Sequence, residues 1–198
     1  MPGVDRADVR GYGATPWTMP GGIPFQLDDG GYETAIGLGN AAAVWLHRYS
    51  VFEAQTINSV SMMWPRQPEG GSLVGLQANL LAYYDADGDG DPTNAVRLGA
   101  DALVTIGVLD AFETYATNFV VPAAGDLYIG YSEHWARNGY ASPLFATALD
   151  TDTWHARAYL SLNMPQDGVP PSLDIDQLGN NQMTAMLSAI GMAGNFLI

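Results

Sequence analysis

The chain has 198 residues, of which 47% are hydrophobic and only 14% are charged, against about 25% charged in an average soluble protein. Acidic residues outnumber basic ones by 21 to 7, and the net charge of −14 argues against binding to nucleic acid or to anionic membranes. The sequence contains no cysteine, which excludes disulfides, zinc–cysteine sites and cysteine nucleophiles, and no apolar run long enough for membrane insertion.

Residues 1–27 are rich in glycine and proline and are predicted to form an irregular N-terminal arm, followed by one domain over residues 28–198. In that domain, short runs of β-branched and aromatic residues alternate with Gly, Pro, Asn and Asp. The predicted strands cover residues 43–51, 55–64, 72–84, 102–108, 114–121, 126–134, 143–148, 156–162 and 195–198.

Two of these strands carry further information. The run 55–64 fits an alternating pattern only in part, which predicts a β-bulge. In the run 72–84, alternate residues from 74 to 82 are all apolar, so we expect one face towards the core and a wetter opposite face. With long loops at 65–71 and 163–181, the pattern predicts an all-β, antiparallel β-sandwich.

The strongest chemical signal is the run from Asp85 to Asn94, which has aspartates at alternate positions: Asp85, Asp87, Asp89 and Asp91. Oxygen ligands at this spacing can converge on a hard cation, and the intervening glycines permit the tight turn. The position that holds a bidentate Glu in an EF-hand is Val96, and the run follows a strand. We therefore predict calcium bound by these four aspartates on a β scaffold, where it pins a hairpin.

The other ligands of this ion would have to come from elsewhere, and Asp101, Asp174 and Asp176 are candidates. The competing interpretation is a solvated acidic turn, because Asp, Gly, Asn and Pro all favour turns.

The segment LLAYYDADGDGDPTNA (residues 80–95) resembles the midpoint of a family of secreted bacterial β-sandwich modules found in large exported or surface proteins. Four further segments agree in the same order: ETAIGL (33–38), DLYIGY (126–131), FATALD (145–150) and GNFLI (194–198). The resemblance covers about residues 28–198 and implies a jelly-roll-like sandwich and an extracytoplasmic location. It implies no activity and no catalytic residue.

Aromatic residues suggest a second kind of site. Trp45, Trp64 and Trp154 lie in or beside predicted strands and are expected in the core. Trp135, Asn138 and Tyr140 lie in a predicted loop, where rings and hydrogen-bonding groups together resemble a glycan-contacting surface in composition. A decorated hairpin turn is the simpler interpretation.

Catalytic patterns are weak. The three histidines show no metal-binding spacing, the run 130–134 lacks the second glycine of a serine-hydrolase elbow, and no carboxylate pair has a diagnostic spacing. We therefore expect a non-catalytic extracellular or cell-surface module, structural or adhesive, stabilised by calcium. A glycan-binding module is the alternative, and a small secreted hydrolase is the third hypothesis. Expected partners are a glycan or another surface protein, and open sheet edges would permit self-association.

Overall fold

The structure is a computed structural model that describes residues 25–37, 42–67, 71–133, 145–152, 155, 157–163, 184–186 and 193–198. These residues form twelve β-strands: β1 (Thr34–Ile36), β2 (Ala42–Val51), β3 (Gln55–Met63), β4 (Gln77–Asp85), β5 (Val96–Arg97), β6 (Ala102–Thr105), β7 (Phe112–Val121), β8 (Gly125–Glu133), β9 (Thr147–Asp150), β10 (Ala158–Asn163), β11 (Thr184–Met186) and β12 (Asn195–Phe196). Within this part of the chain, no helix has the length and apolarity that crossing a membrane requires.

The larger sheet contains seven strands in the order β11–β10–β2–β8–β4–β5, and β6 also pairs with β4. Every pair in it is antiparallel. The strands β2, β8 and β4 form its centre and pair over most of their lengths.

The second layer consists of a three-stranded sheet, β1–β9–β12, and a two-stranded sheet, β3–β7. The backbone N–H of Met63, at the end of β3, donates to the carbonyl of Leu197, next to β12, at 3.1 Å. This hydrogen bond joins the two smaller sheets edge to edge, so that together they face the seven-stranded sheet.

The main core fills the space between the two layers. It contains residues from both, among them Trp45, Leu80 and Ile129 of the larger sheet and Met62, Phe119 and Phe196 of the smaller ones. Trp45 and Trp64 are fully buried, as predicted. The all-β sandwich is thus confirmed, while its jelly-roll connectivity stays a prediction.

The observed strands follow the predicted ones closely in the middle of the chain, and the main error is at the start of β4. The predicted strand begins at residue 72, whereas β4 begins at Gln77. Leu73 and Leu76 are buried, but they belong to a turn in which Gly75 has φ +87°. The strand was predicted to start too early because the alternation of apolar residues continues through a turn whose leucine side chains also reach the core.

The predicted wetter face of β4 holds only at the start of the strand, where Gln77 is exposed and Asn79 is partly exposed. Ala78, Leu80 and Ala82 face the main core as expected, but Leu81 and Tyr83 on the opposite face are also fully buried. They belong to a second apolar cluster on the outer side of the large sheet. Beyond Asn79, the outer side of β4 is therefore covered rather than exposed to water.

A bulge lies in the β3–β7 pair, as the broken pattern of residues 55–64 indicates. The register shifts between Ile57, opposite Phe119, and Ser59, opposite Ala116, so that β7 carries the extra residue. The hydroxyl of Thr117 donates to the carbonyl of Ile57 at 2.8 Å within this bulge. The broken alternation in the sequence of β3 is thus matched by an extra residue in its partner strand, β7.

A tie centred on Asp110 connects three distant segments. Asp110 has φ +57°, its backbone N–H donates to the carbonyl of Trp64, and its carboxylate accepts hydrogen bonds from the Tyr32 hydroxyl at 2.6 Å and the Arg66 Nε at 2.8 Å. The Tyr32 hydroxyl, followed by the N–H groups of Arg66, holds the pKa of Asp110 below its ordinary value. The ionised carboxylate therefore favours the folded state.

We expect the Asp110→Asn variant to be less stable than the parent at neutral pH, since Asn tolerates the same backbone conformation but removes the charge. A lowered folded-state pKa contributes stability above the unfolded-state pKa, and this contribution is lost as the pH falls through the folded-state pKa. The difference in melting temperature should therefore shrink in acid. A difference that stays constant from pH 7 down to pH 2 would contradict this account.

Substitution of Phe196 tests how much the packing of the second layer contributes to stability. Its ring is fully buried and packs edge-on against Trp45 at a centroid distance of 5.5 Å, so Phe196→Ala should cost about 3–5 kcal/mol of unfolding free energy. Deleting residues 196–198 should cost more, because it also removes the carbonyls that accept from Met63 and from the Tyr49 hydroxyl. Phe52→Ala is the matched control, since Phe52 is 88% exposed and should change stability by less than about 0.5 kcal/mol. Chemical denaturation would measure all three.

Candidate metal site

The aspartate run forms the hairpin connection between β4 and β5. Asp85 is the last residue of β4, and a single 3-10 turn (Pro92–Asn94) precedes β5. Gly88 and Gly90 have φ values of +64° and +85°, which residues with a Cβ adopt at a cost. The sequence DADGDGD therefore turns back on itself where only glycine fits easily.

Within this loop, the aspartates organise the backbone through a series of local hydrogen bonds. The Oδ1 atoms of Asp85, Asp87 and Asp89 each accept from the backbone N–H two residues ahead, at 3.1, 3.3 and 2.7 Å. Asn94 Nδ2 donates to the other oxygen of Asp87 at 2.8 Å. These bonds fix the positions of the three carboxylates relative to the loop backbone.

One carboxylate oxygen from each of Asp85, Asp87 and Asp89 lies within 4.8 Å of the other two. In the described part of the chain, no other set of three or more His, Asp or Glu residues converges in this way. Two negative charges about 4 Å apart repel by about 1 kcal/mol in water and by about 4 kcal/mol near a protein surface. The group could therefore hold a metal ion, and a cation would relieve the repulsion.

Asp85 differs from its two neighbours because it is buried. Only 1% of its surface is exposed, and its Oδ2 atom has no hydrogen-bond partner. Burial raises the pKa of this carboxyl, and the charges of Asp87 and Asp89 add to the rise. An unpartnered buried carboxylate oxygen is costly, and it points to a missing positive partner.

Asp126 shows what a satisfied carboxylate looks like at the same sheet end. It lies opposite Asp85 in the β4–β8 register and is likewise buried. Its oxygens accept from Arg48 Nη1 at 3.3 Å and from the Ser50 hydroxyl at 3.0 Å. Of these two adjacent buried aspartates, Asp126 is paired with an arginine, whereas Asp85 lies close to two more carboxylates.

The loop is fastened to the sheet at Gly90. The Tyr159 hydroxyl donates to the carbonyl of Gly90 at 2.8 Å, which links the loop to β10. A Cβ built on Gly90 would overlap Arg48 Nη1, so the backbone lies directly on the guanidinium. Arg48, Asp126 and Tyr159 were not visible as site residues in the sequence, because only strand register brings them to the aspartate loop.

The other residues predicted as metal ligands do not join the converging group in the described structure. Asp91 lies outside the converging group of three, and its N–H donates to Asp89. Asp101, a predicted completing ligand, forms an ion pair with Arg97 on β5 instead. Asp174 and Asp176 lie outside the described residues. The fourth ligand therefore stays a prediction.

Trp135, Asn138 and Tyr140, predicted as a glycan-contacting loop, also lie outside the described residues, as does Trp154. His47 is buried against the rings of Tyr49 and Phe196, and burial lowers its pKa to about 3, which keeps the imidazole neutral. Asp150 accepts from the backbone N–H groups of Asp29 and Asp152. Both side chains are fully buried within the sandwich.

Comparison with known proteins adds no relative: the sequence matches no protein-family model, and neither a curated protein nor a solved structure is significantly similar to it. The resemblance to secreted bacterial modules therefore stays a prediction.

The contact between Gly90 and Arg48 can be tested with two glycine substitutions. Gly88→Ala and Gly90→Ala both place a side chain at positive φ, which costs about 1–2 kcal/mol. At Gly88 the nearest atom to the new methyl group would be 3.7 Å away, whereas at Gly90 the Arg48 guanidinium must move away from Asp126. We expect Gly90→Ala to be the more destabilising of the two in denaturant titrations. Equal losses would show that the Arg48 contact does not constrain the loop.

Proposed function

We propose that this protein is a non-catalytic, extracytoplasmic β-sandwich module, structural or adhesive, whose β4–β5 hairpin is fixed by a bound calcium ion. The observation that carries the proposal is that Asp85 belongs to the converging group with Asp87 and Asp89, is buried, and has an Oδ2 atom without a hydrogen-bond partner.

The donor set favours calcium over other cations. All three converging groups are carboxylates, and calcium takes six to eight oxygen ligands in flexible geometry. Zinc sites in proteins draw mainly on Cys and His, which this group lacks. Magnesium requires tighter octahedral geometry. Asp87 and Asp89 are exposed, so water or the Asp91 region can supply the remaining oxygens.

The ion would act at a structurally central point. Asp85 ends β4, which pairs with β8, β5 and β6. Neutralising the carboxylates there would secure both the end of this strand and the loop that Tyr159 and Arg48 hold against the sheet. The role is therefore mechanical: a cation that stiffens the hairpin.

The same features support the proposed location and the proposed lack of catalysis. An exposed site with few protein ligands suits the millimolar calcium found outside cells. Other buried carboxylates, such as Asp126 and Asp150, are engaged in hydrogen bonds within the fold. That arrangement supports a scaffold rather than an acid–base pair.

Calcium addition is the direct test. At free calcium about 100-fold above Kd, a ligand bound only by the folded state adds about 2.7 kcal/mol. For a chain of this size each kcal/mol raises the melting temperature by about 2–4 °C. Calcium added at that excess to chelator-treated protein should therefore raise the melting temperature by roughly 5–11 °C. Magnesium should raise it less, and sodium chloride at matched ionic strength controls for screening.

Two single substitutions sharpen this test. Asp85→Asn should melt above the parent in chelator, because it removes a buried, unpartnered charge, and it should lose most of the gain from calcium. Asp152→Asn, which removes one exposed charge from the β9 turn, is the matched control and should keep the full gain. The double variant Asp87→Asn with Asp89→Asn should lose the calcium-specific gain as well.

If calcium leaves the melting curve of the parent unchanged, or if Asp152→Asn loses the gain as fully as Asp85→Asn, the aspartate run is only an acidic turn.

A further inference from the structure

Three tyrosines lie side by side on the outer face of the large sheet, on the side away from the main core. Tyr83, Tyr128 and Tyr159 come from β4, β8 and β10, and each is at most 3% exposed. The rings of Tyr128 and Tyr159 meet edge to face at a centroid distance of 5.3 Å. We call these three residues the tyrosine cluster.

The aspartate loop, residues 86–95, packs on this cluster. Ala95 is fully buried in the same apolar group as the three tyrosines, and among its described members it alone comes from outside the strands. The carbonyl of Gly90 accepts the Tyr159 hydroxyl at 2.8 Å. Two separate points of the loop therefore contact the same aromatic surface.

The polar groups beneath the loop are poorly satisfied. The Nε atom of Arg48 is buried without a hydrogen-bond partner, and so is Asp85 Oδ2 at the point where the loop leaves β4. Each of these groups would gain hydrogen bonds from water if the loop moved away. The covered arrangement thus depends on a compensating interaction.

We propose that loop 86–95 is a cation-dependent clasp, which stays closed on the tyrosine cluster while an ion neutralises Asp85, Asp87 and Asp89, and lifts to expose the cluster when the ion leaves. The clasp rests on the proposed function, because it requires the metal site. Repulsion among the three carboxylates and hydration of Asp85 Oδ2 drive the opening. The sandwich core lies on the other face of the sheet, so it stays closed.

Tyrosine nitration followed by mass spectrometry tests the clasp on the full chain. The reagent is tetranitromethane, used well below the melting temperature. We expect about tenfold or more faster modification of Tyr83, Tyr128 and Tyr159 in chelator than in millimolar calcium, because local opening of the loop costs less free energy once the ion has left. Tyr49 and Tyr131, buried in the main core, are internal references and should react equally slowly in both conditions.

A pair of matched substitutions distinguishes the effect of releasing the loop from the effect of removing any buried hydroxyl. Tyr159→Phe and Tyr131→Phe each remove one hydroxyl that donates to a backbone carbonyl at 2.8 Å, to Gly90 and to Ala146 respectively. Tyr159→Phe should raise the nitration rate of Tyr128 even in calcium. Tyr131→Phe should leave that rate unchanged.

The outcomes distinguish the two proposals when melting curves are recorded on the same samples. If calcium raises the melting temperature but nitration of the cluster does not depend on the ion, the clasp is wrong and the metal site stands. If Tyr49 and Tyr131 become reactive together with the cluster in chelator, the opening is global and the clasp is again wrong. If calcium changes neither nitration nor melting, both proposals fall.

Discussion

The structure depends on the burial of its central strands from both sides. In β2, β8 and β4, the side chains on one face fill the space between the two layers, and those on the other face form a second apolar cluster. A sheet whose two faces are both apolar needs two covers. The smaller sheets provide one, and the aspartate hairpin contributes to the other.

This requirement explains why so acidic a segment lies on an apolar surface. The hairpin must lie against the sheet, and therefore its first residue, Asp85, is drawn out of water at the end of β4. Its neighbour across the strand pair, Asp126, meets Arg48, one of only seven basic residues in the chain. A metal ion held by Asp85, Asp87 and Asp89 would supply the positive charge that the second carboxylate lacks.

The sequence pattern predicted those features that depend on residues close together in the chain. The β-branched and aromatic runs located β2, β3, β7 and β8, and the spacing of Asp85, Asp87 and Asp89 revealed the converging carboxylates. The short strands β1, β5 and β11 escaped notice because their two or three residues are defined by partners rather than by periodicity. The burial of Leu81 and Tyr83 depends on a hairpin that closes over them, and alternation along one strand contains no information about a cover. Arg48 and Tyr159 join the site for the same kind of reason, through pairing between segments far apart in sequence.

The second layer is built from both ends of the described chain, and this has a consequence for the order of folding. The strand β9 lies between β1 and β12, and Asn195 donates to the carbonyl of Leu27 across 168 positions of sequence. Contacts of such long separation close slowly, because the entropy of a long loop must be lost before they form. During synthesis, which proceeds from the N-terminus, the inner face of β2 therefore lacks its last cover until β12 has been made. The time spent in that open state determines how long Trp45 can contact other chains.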